Sequence, residues 1–348
     1  MTLLRRAQKV GRTYLNPVPT EMSGPGLIFK LLPRLMFSKE ERVPRYPPGP
    51  FRTDASIYAT PPQSGLRVTW MGHSSSLVEM DGVRILIDPV WEQRASPFSW
   101  IGPSRFFAPP LTLDELPRID AVLVSHDHYD HLSAGTVRRL SRLQPEARWV
   151  TSLEVGPILW RFGARGQQIA ELDWTESVVI EGLDGASCEI TSLPSRHFSG
   201  RSLSNRFTTL WAAFVLRGAA TPNHRGHTIY YGADSGWWDG FAEIGAAYGP
   251  FDLTMLEIGA FNELWRQIHL GPDGAVRAFR ALGEADREAG LLMPIHWGLF
   301  DLALHAWRQP MHRLLELAGE QRLKLWQPKP GAPTEVVAGV EVRSDWWR

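Results

Sequence analysis

Cysteine is almost absent from this chain of 348 residues: Cys188 stands alone, so no intramolecular disulfide is available and no oxidising compartment is required. As a lone residue it reads as a small buried hydrophobe. Net charge is missing as well, because 37 lysines and arginines balance 37 aspartates and glutamates. No overall field draws such a protein to nucleic acid, and no block of Lys or Arg forms a phosphate-tracking groove. No run approaches the roughly 20 apolar residues of a membrane span. The basic start, with Arg5, Arg6 and Lys9, leads into no apolar secretory core, so the expected location is cytoplasmic. What is present is globular material, 43% hydrophobic and 21% charged, ample for a buried core.

Residues 15–62 are rich in proline, including Pro47, Pro48, Pro50, Pro61 and Pro62, and lack sustained periodicity. They read as part of an extended N-terminal arm, 1–64, wrapping one catalytic body, 65–348. Within the arm, residues 26–37 (GLIFKLLPRLMF) form the densest apolar stretch, interrupted by Lys30, Pro33 and Arg34. Such a segment suits peripheral contact with a bilayer. The plainer alternative is an arm packed on the body, since Pro33 breaks a long helix.

In the body, short apolar runs bounded by Gly, Pro and Asp predict strands at 66–70, 76–80, 83–87, 121–124, 190–193, 228–231, 253–258 and 291–295. Helical spacing falls between them at 134–143, 274–282 and 301–317. Alternation of this kind predicts an α/β class with two mixed sheets flanked by helices, and Asp81-Gly82 predicts a hairpin turn.

Directly after the run 121–124 comes Ser125-His126-Asp127-His128-Tyr129-Asp130-His131. Alternate residues of an extended segment face one side, so His126 and His128 converge on one ion. A turn at Tyr129 then lets Asp130 and His131 address a second. A single loop histidine is ordinarily a hydrogen-bonding residue; four donors within six residues call for metal. Other donors share the strand-end position: His197 follows 190–193, Asp234 follows 228–231 and His296 follows 291–295. In α/β folds those ends open onto a crevice. Five histidines and two aspartates suffice for two ions, with His126, His128 and His197 on one, Asp130, His131 and His296 on the other, and Asp234 bridging. Imidazole and carboxylate suit Zn2+, with iron or manganese as alternatives. Two ions roughly 3.5 to 4 Å apart share a water and lower its pKa toward 7, which predicts a hydrolase.

Further motifs narrow the reading: Trp70-Met71-Gly72-His73-Ser74, Ile87-Asp88-Pro89-Val90, Gly102-Pro103-Ser104-Arg105-Phe106, Asp114-Glu115-Leu116-Pro117, Ile258-Gly259-Ala260-Phe261 and His296-Trp297-Gly298, with Asn16-Pro17-Val18-Pro19 in the arm. On these and the H-X-H-X-D-H run, the chain from about Asn16 to Phe300 resembles the metallo-β-lactamase fold, and within it the N-acyl-phosphatidylethanolamine phospholipase D-like group. The resemblance implies an αββα sandwich, the same seven ligands, two metal ions and a phosphodiesterase acting on a phospholipid or a small molecule. Two departures from the animal phospholipases concern the substrate alone. Glu257 stands where they have proline, and Phe198-Ser199-Gly200-Arg201 follows His197.

Around the ligands, Asp127 is a candidate catalytic proton acceptor or else a loop-capping carboxylate, and Asp234 is counted with it as catalytic. His269 matches a family histidine near the cleft and is a candidate for catalysis and substrate binding; it precedes a helix whose amides would suit a phosphate. Arg201, like Arg196, flanks His197 and could pair with an anionic group. Glu257, a carboxylate in an apolar strand, belongs either to the pocket or to a buried ion pair. Asp88 is expected to orient a ligand histidine or loop amides, and His73 to be a nearby support or a turn residue. His224 and His227 read as solvated, His305 and His312, sharing a face of one helix, as surface or packing residues. Trp237, Trp238 and Trp265 are candidates for an apolar cleft wall. A lactonase or carboxylic ester hydrolase is the alternative activity, and a binding module without catalysis the remote one.

Overall fold

The structure, a computed structural model, describes residues 2–21, 39–202, 204–220 and 225–348. The apolar stretch 26–37 and His224 lie outside the described residues. After a short hairpin of β1 (Lys9–Val10) and β2 (Thr13–Tyr14), the body opens with β3 (Leu66–Gly72), β4 (Ser75–Met80), β5 (Val83–Ile87) and β6 (Ala121–Val124). Then follow α1 (Ala134–Leu143), β7 (Arg148–Ser152), α2 (Gly156–Phe162) and β8 (Ile169–Leu172), which complete the first half. The second half comprises β9 (Ser177–Glu181), β10 (Ser187–Leu193), β11 (Ala213–Gly218), β12 (Thr228–Tyr231), α3 (Gly240–Tyr248), β13 (Leu253–Glu257), α4 (Gly271–Ala281), β14 (Leu292–Ile295) and α5 (Gln309–Gln321). A final strand, β15 (Thr334–Glu335), returns to the first sheet.

Two mixed sheets result, ordered β15-β3-β4-β5-β6-β7-β8 and β14-β13-β12-β11-β10-β9. Each is antiparallel on one side and parallel on the other, where β5 to β8 and β12 to β14 run together. The continuous apolar runs follow from burial on both faces. Along β5 and β6, Val83, Ile85, Ile87, Ala121 and Leu123 enter the core between the sheets. Their neighbours Leu86, Val122 and Val124 enter a second core with Val137, Leu140 and Leu159 of α1 and α2. On the far side, Ala275, Phe279, Met311 and Leu314 of α4 and α5 join the core of the second sheet. This is the αββα sandwich.

The hairpin turn is as expected: Met80 pairs with Val83, and Asp81 and Gly82 between them have φ of 49° and 86°, the left-handed pair that a two-residue turn requires. The helix expected at 301–317 begins only at Gln309, with Pro310 in its first turn, where a missing N–H costs nothing. His305 therefore lies in the preceding loop, its ring 4.7 Å from that of Phe261, while His312 on α5 contacts Trp347. His227 is not solvated; it is 8% exposed, and its Nδ1 lies 2.8 Å from Asp81 Oδ1. Cys188 is buried in the core.

The described parts of the arm are tied to the body through polar contacts. Leu3 N donates to Glu243, Asn16 Nδ2 donates to His197 O at 2.8 Å, and Trp307 N donates to Glu41 O at 2.9 Å. No described helix is long and apolar enough to cross a membrane.

Candidate metal centre

Strand ends deliver the donors, and left-handed backbone aims several of them. His73, Asp88, Ala233 and His296, each just past β3, β5, β12 or β14, have φ of 55°, 38°, 47° and 59°. Non-glycine residues persist in that region only where surrounding contacts hold them, which is typical of functional sites. The two sheets are joined here, because His296 N donates to His73 O at 3.0 Å. After β6, the amides of His131 and Leu132 both donate to His128 O, so the chain turns at Tyr129 and sends Asp130 and His131 away from His126 and His128.

The seven expected donors form two sets, and Glu257 and His269 make a third group with Asp234 and His296. In the first, His128 Nδ1 lies 2.8 Å from His126 Nε2 and 3.3 Å from His197 Nε2, and Asp234 Oδ2 lies 3.8 and 3.5 Å from those two Nε2 atoms. In the second, Asp130 Oδ2 lies 3.5 Å from His131 Nε2, 3.2 Å from His296 Nε2 and 2.9 Å from His73 Nε2. Asp234 reaches this set too, at 3.3 Å from His131 Nε2 and 3.1 Å from His296 Nε2. Ligands held about 2.0–2.1 Å from one ion in a tetrahedron are about 3.3 Å apart, so these spacings fit. The buried atoms His131 Nε2, His296 Nε2 and Asp234 Oδ1 have no hydrogen-bond partner. Unpaired polar atoms at zero to three per cent exposure are costly without a cation to receive them. The seven expected ligands are thus together, with His73 beside the second set.

Supporting contacts fix which nitrogen each imidazole presents. Asp88 accepts from Ser125 N at 2.7 Å, Ser125 Oγ at 2.6 Å, His131 Nδ1 at 2.6 Å and Tyr231 OH at 2.5 Å. With Nδ1–H committed to Asp88, His131 turns its Nε2 lone pair to the centre. His197 does likewise by donating Nδ1–H to Ile268 O at 2.8 Å. Burial, reinforced by neighbouring imidazoles, drives His126 and His197 well below the usual histidine range, and His73 to about 3. At His126 and His197 this favours the neutral ring, the metal-binding form, whereas the carboxylates around His131 and His296 raise those two. Burial opposes ionisation of Asp234, but His131 and His296 outweigh it and hold its carboxyl well below the usual range.

A cavity of about 260 Å3 opens on His128, Asp130, Asp234 and His296, with Phe198, Trp265, Ile268 and Leu302 as apolar walls. Trp265 is thus the one expected tryptophan that reaches it; Trp238 is buried in the core, and Trp237 stacks on Phe241 beneath Arg277. His269 lines the cavity. Its Nδ1 lies 2.6 Å from Glu257 Oε2, and Glu257 is fully buried, accepting also from Ser235 N and Leu270 N. Glu257 is therefore the buried ion-pair member of its two expected roles and does not touch the cavity. It also occupies an amide at the start of α4 that was expected to suit a phosphate.

Two other candidates face away. Asp127 is buried and accepts from Gly200 N at 2.7 Å, the loop-capping role, and it is absent from the cavity wall. Arg201 donates to Asp127 O and Leu132 O, with its guanidinium 3.9 Å from the Tyr129 ring, so it ties the ligand loop rather than meeting substrate. Arg196 anchors the arm through Thr20 Oγ1 and Pro19 O. The cation that does line the cavity is Arg206, to which no strand-end or motif signal pointed.

Residues 83–297, more than half of the chain, match the Beta-lactamase superfamily domain. An uncharacterized protein of Mycobacterium tuberculosis is 43% identical over 88% of this chain and 76% of its own length. The N-acyl-phosphatidylethanolamine-hydrolyzing phospholipase D 1 of Caenorhabditis elegans is 38% identical over 73% of this chain and 70% of its own. Among solved structures, an isothiocyanate hydrolase from Delia radicum gut bacteria superposes with a TM-score of 0.59 at 18% identity, covering 78% of this chain and 100% of that one, a likeness of fold alone. With the sandwich, the paired donor sets and these relatives in agreement, the chain belongs to the beta-lactamase superfamily, in its N-acyl-phosphatidylethanolamine phospholipase D-like group, as a metal-dependent hydrolase.

Proposed function

We propose that the protein hydrolyses phosphoric diesters, with N-acyl phosphatidylethanolamines as the substrate class, using two zinc ions. The observation that carries this is a pair of donor sets, both within reach of Asp234, beside a cavity with apolar walls. Bound there, two divalent ions supply Lewis acidity toward an ester oxygen and a water of lowered pKa.

The chain's own residues do the rest. His126, His128 and His197 form one site, Asp130, His131 and His296 the other, and the two Asp234 oxygens reach both. Asp88 holds His131 in the tautomer that binds. His269, its Nδ1–H donated to Glu257, turns Nε2 toward the cavity, where it can pass a proton to the departing ester oxygen. Trp265, Ile268 and Leu302 accept the apolar part of the substrate and exclude water. From Trp265 and Leu302 a cleft of about 630 Å3 continues past Phe106 and Pro103, room for a chain longer than the cavity holds.

The nematode relative's name supports this substrate class, and the imidazole-rich sets support zinc. Peripheral contact with a membrane through residues 26–37 belongs to the same reading. Glu257, standing where the animal phospholipases have proline, favours testing a lactone alongside. The experiment offers the metal-replete protein an N-acyl phosphatidylethanolamine, bis(p-nitrophenyl) phosphate and a lactone. Cleavage of both diesters is expected, and turnover of the lactone alone overturns the proposal in favour of a carboxylic ester hydrolase.

A further inference from the structure

Arg206 lines the metal cavity, and it is the single Lys or Arg among the described residues that does so. Its guanidinium makes no hydrogen bond or ion pair among those residues and lies 5.2 Å from the centre of the Phe198 ring. Phe198 in turn packs on the rings of His128 and His197, at 4.4 and 4.9 Å. The platform beneath the guanidinium is thus fixed to the metal ligands, whereas the two other arginines nearby are committed elsewhere, Arg201 to the ligand loop and Arg196 to the arm.

The loop that delivers Arg206 is built for it. Phe207 is left-handed, with φ of 61°, and its N–H donates to Ser199 O at 3.0 Å. Asn205 Oδ1 accepts from the amides of Arg201 and Ser202 at 3.0 and 2.7 Å. Gly200 has φ of +132°, and a Cβ there would stand 2.9 Å from Arg206 Cα, so the chain returns at a distance only glycine permits. The turn is closed from both sides, and it sets Arg206, without a hydrogen bond or ion pair among the described residues, in a cavity otherwise lined by histidines, acidic residues and apolar side chains.

We infer that Arg206 selects substrates whose ester group carries a negative charge. A guanidinium presents two parallel N–H donors, which match the two non-bridging oxygens of a phosphodiester monoanion. A lactone or neutral carboxylic ester offers no such pair. This inference rests on the phosphodiesterase reading and adds to it the residue that separates a diester anion from a neutral ester.

The test is binding of dimethyl phosphate, a monoanion, and trimethyl phosphate, its neutral counterpart, to the metal-replete protein, followed by phosphorus NMR. Arg206→Gln should weaken dimethyl phosphate by roughly 10- to 100-fold, the range of a charge-assisted hydrogen bond, and leave trimethyl phosphate unchanged. Arg206→Lys should restore part of the loss, since it keeps the charge without the fork. Equal weakening of both probes, or no change in either, overturns the inference. Wild-type turnover of bis(p-nitrophenyl) phosphate, measured in parallel, reports separately on the phosphodiesterase reading: its absence sinks that reading whatever Arg206 binds.

Discussion

Two buried carboxylates support the centre from opposite sheets, and they do different things. Asp88, just past β5, accepts from a metal ligand, His131, and from the serine and tyrosine beside it. Glu257, ending β13, accepts from His269, which lines the cavity and belongs to neither of the two sets that share Asp234. Its approach to the ligand His296, at 3.8 Å from Nδ1, is too long for a hydrogen bond. On the proposed mechanism the first carboxylate acts on metal affinity and the second on the chemistry in the cavity, although both are fully buried acids at the carboxyl ends of strands.

The largest effect expected is from Asp234→Asn, which removes the group common to both donor sets. Activity should fall by orders of magnitude and bound metal should drop, measured by elemental analysis beside turnover. If metal content held at wild-type level, the shared role of Asp234 would be wrong. Next, Glu257→Gln should lower turnover by about 100-fold, the lower end of a general acid's contribution, with metal content unchanged. The loss should shrink for substrates with a good leaving group such as p-nitrophenolate; a uniform loss would reduce Glu257 to a structural residue.

Asp88→Asn should do the reverse, lowering metal affinity by roughly 10- to 100-fold, as loss of such a supporting contact does. Turnover at saturating zinc should largely recover, and failure to recover would erase the contrast with Glu257. The smallest effect is expected from His312→Ala, a histidine on α5 packed against Trp347. Metal content and turnover should both stay at wild-type values.

Strands whose apolar runs are continuous and sharply bounded were legible end to end: Val83–Ile87, Ala121–Val124 and Thr228–Tyr231 have the expected limits. Burial on both faces keeps them largely apolar, with Arg84 of β5 and Thr228 of β12 as the exceptions. By contrast, β9 was not expected: at a sheet edge, its apolar run Val178-Val179-Ile180 is only three residues long, with exposed Ser177 and Glu181 on either side. The start of α5 was misplaced because 301–308 has helical spacing that Pro310 and the packing of His305 on Phe261 override. The ligands were legible for a chemical reason, since clustered imidazoles and carboxylates at strand ends have few uses apart from metal.

Arg201 and Arg206 show where such reading stops. Both are arginines downstream of His197, and Arg201 is the nearer in sequence. Only the return of the loop at Phe207 decides that Arg206 faces the cavity while Arg201 turns back to the carbonyls of Asp127 and Leu132. Asp127 is similar: its capping partner, Gly200 N, lies 73 residues away in the chain. Donor identity and strand-end position are local properties, so the candidate metal ligands and the hydrolase class could be read from the residues alone. Which charged side chain lines the cavity depends on contacts between distant segments, which exist only once the chain is folded.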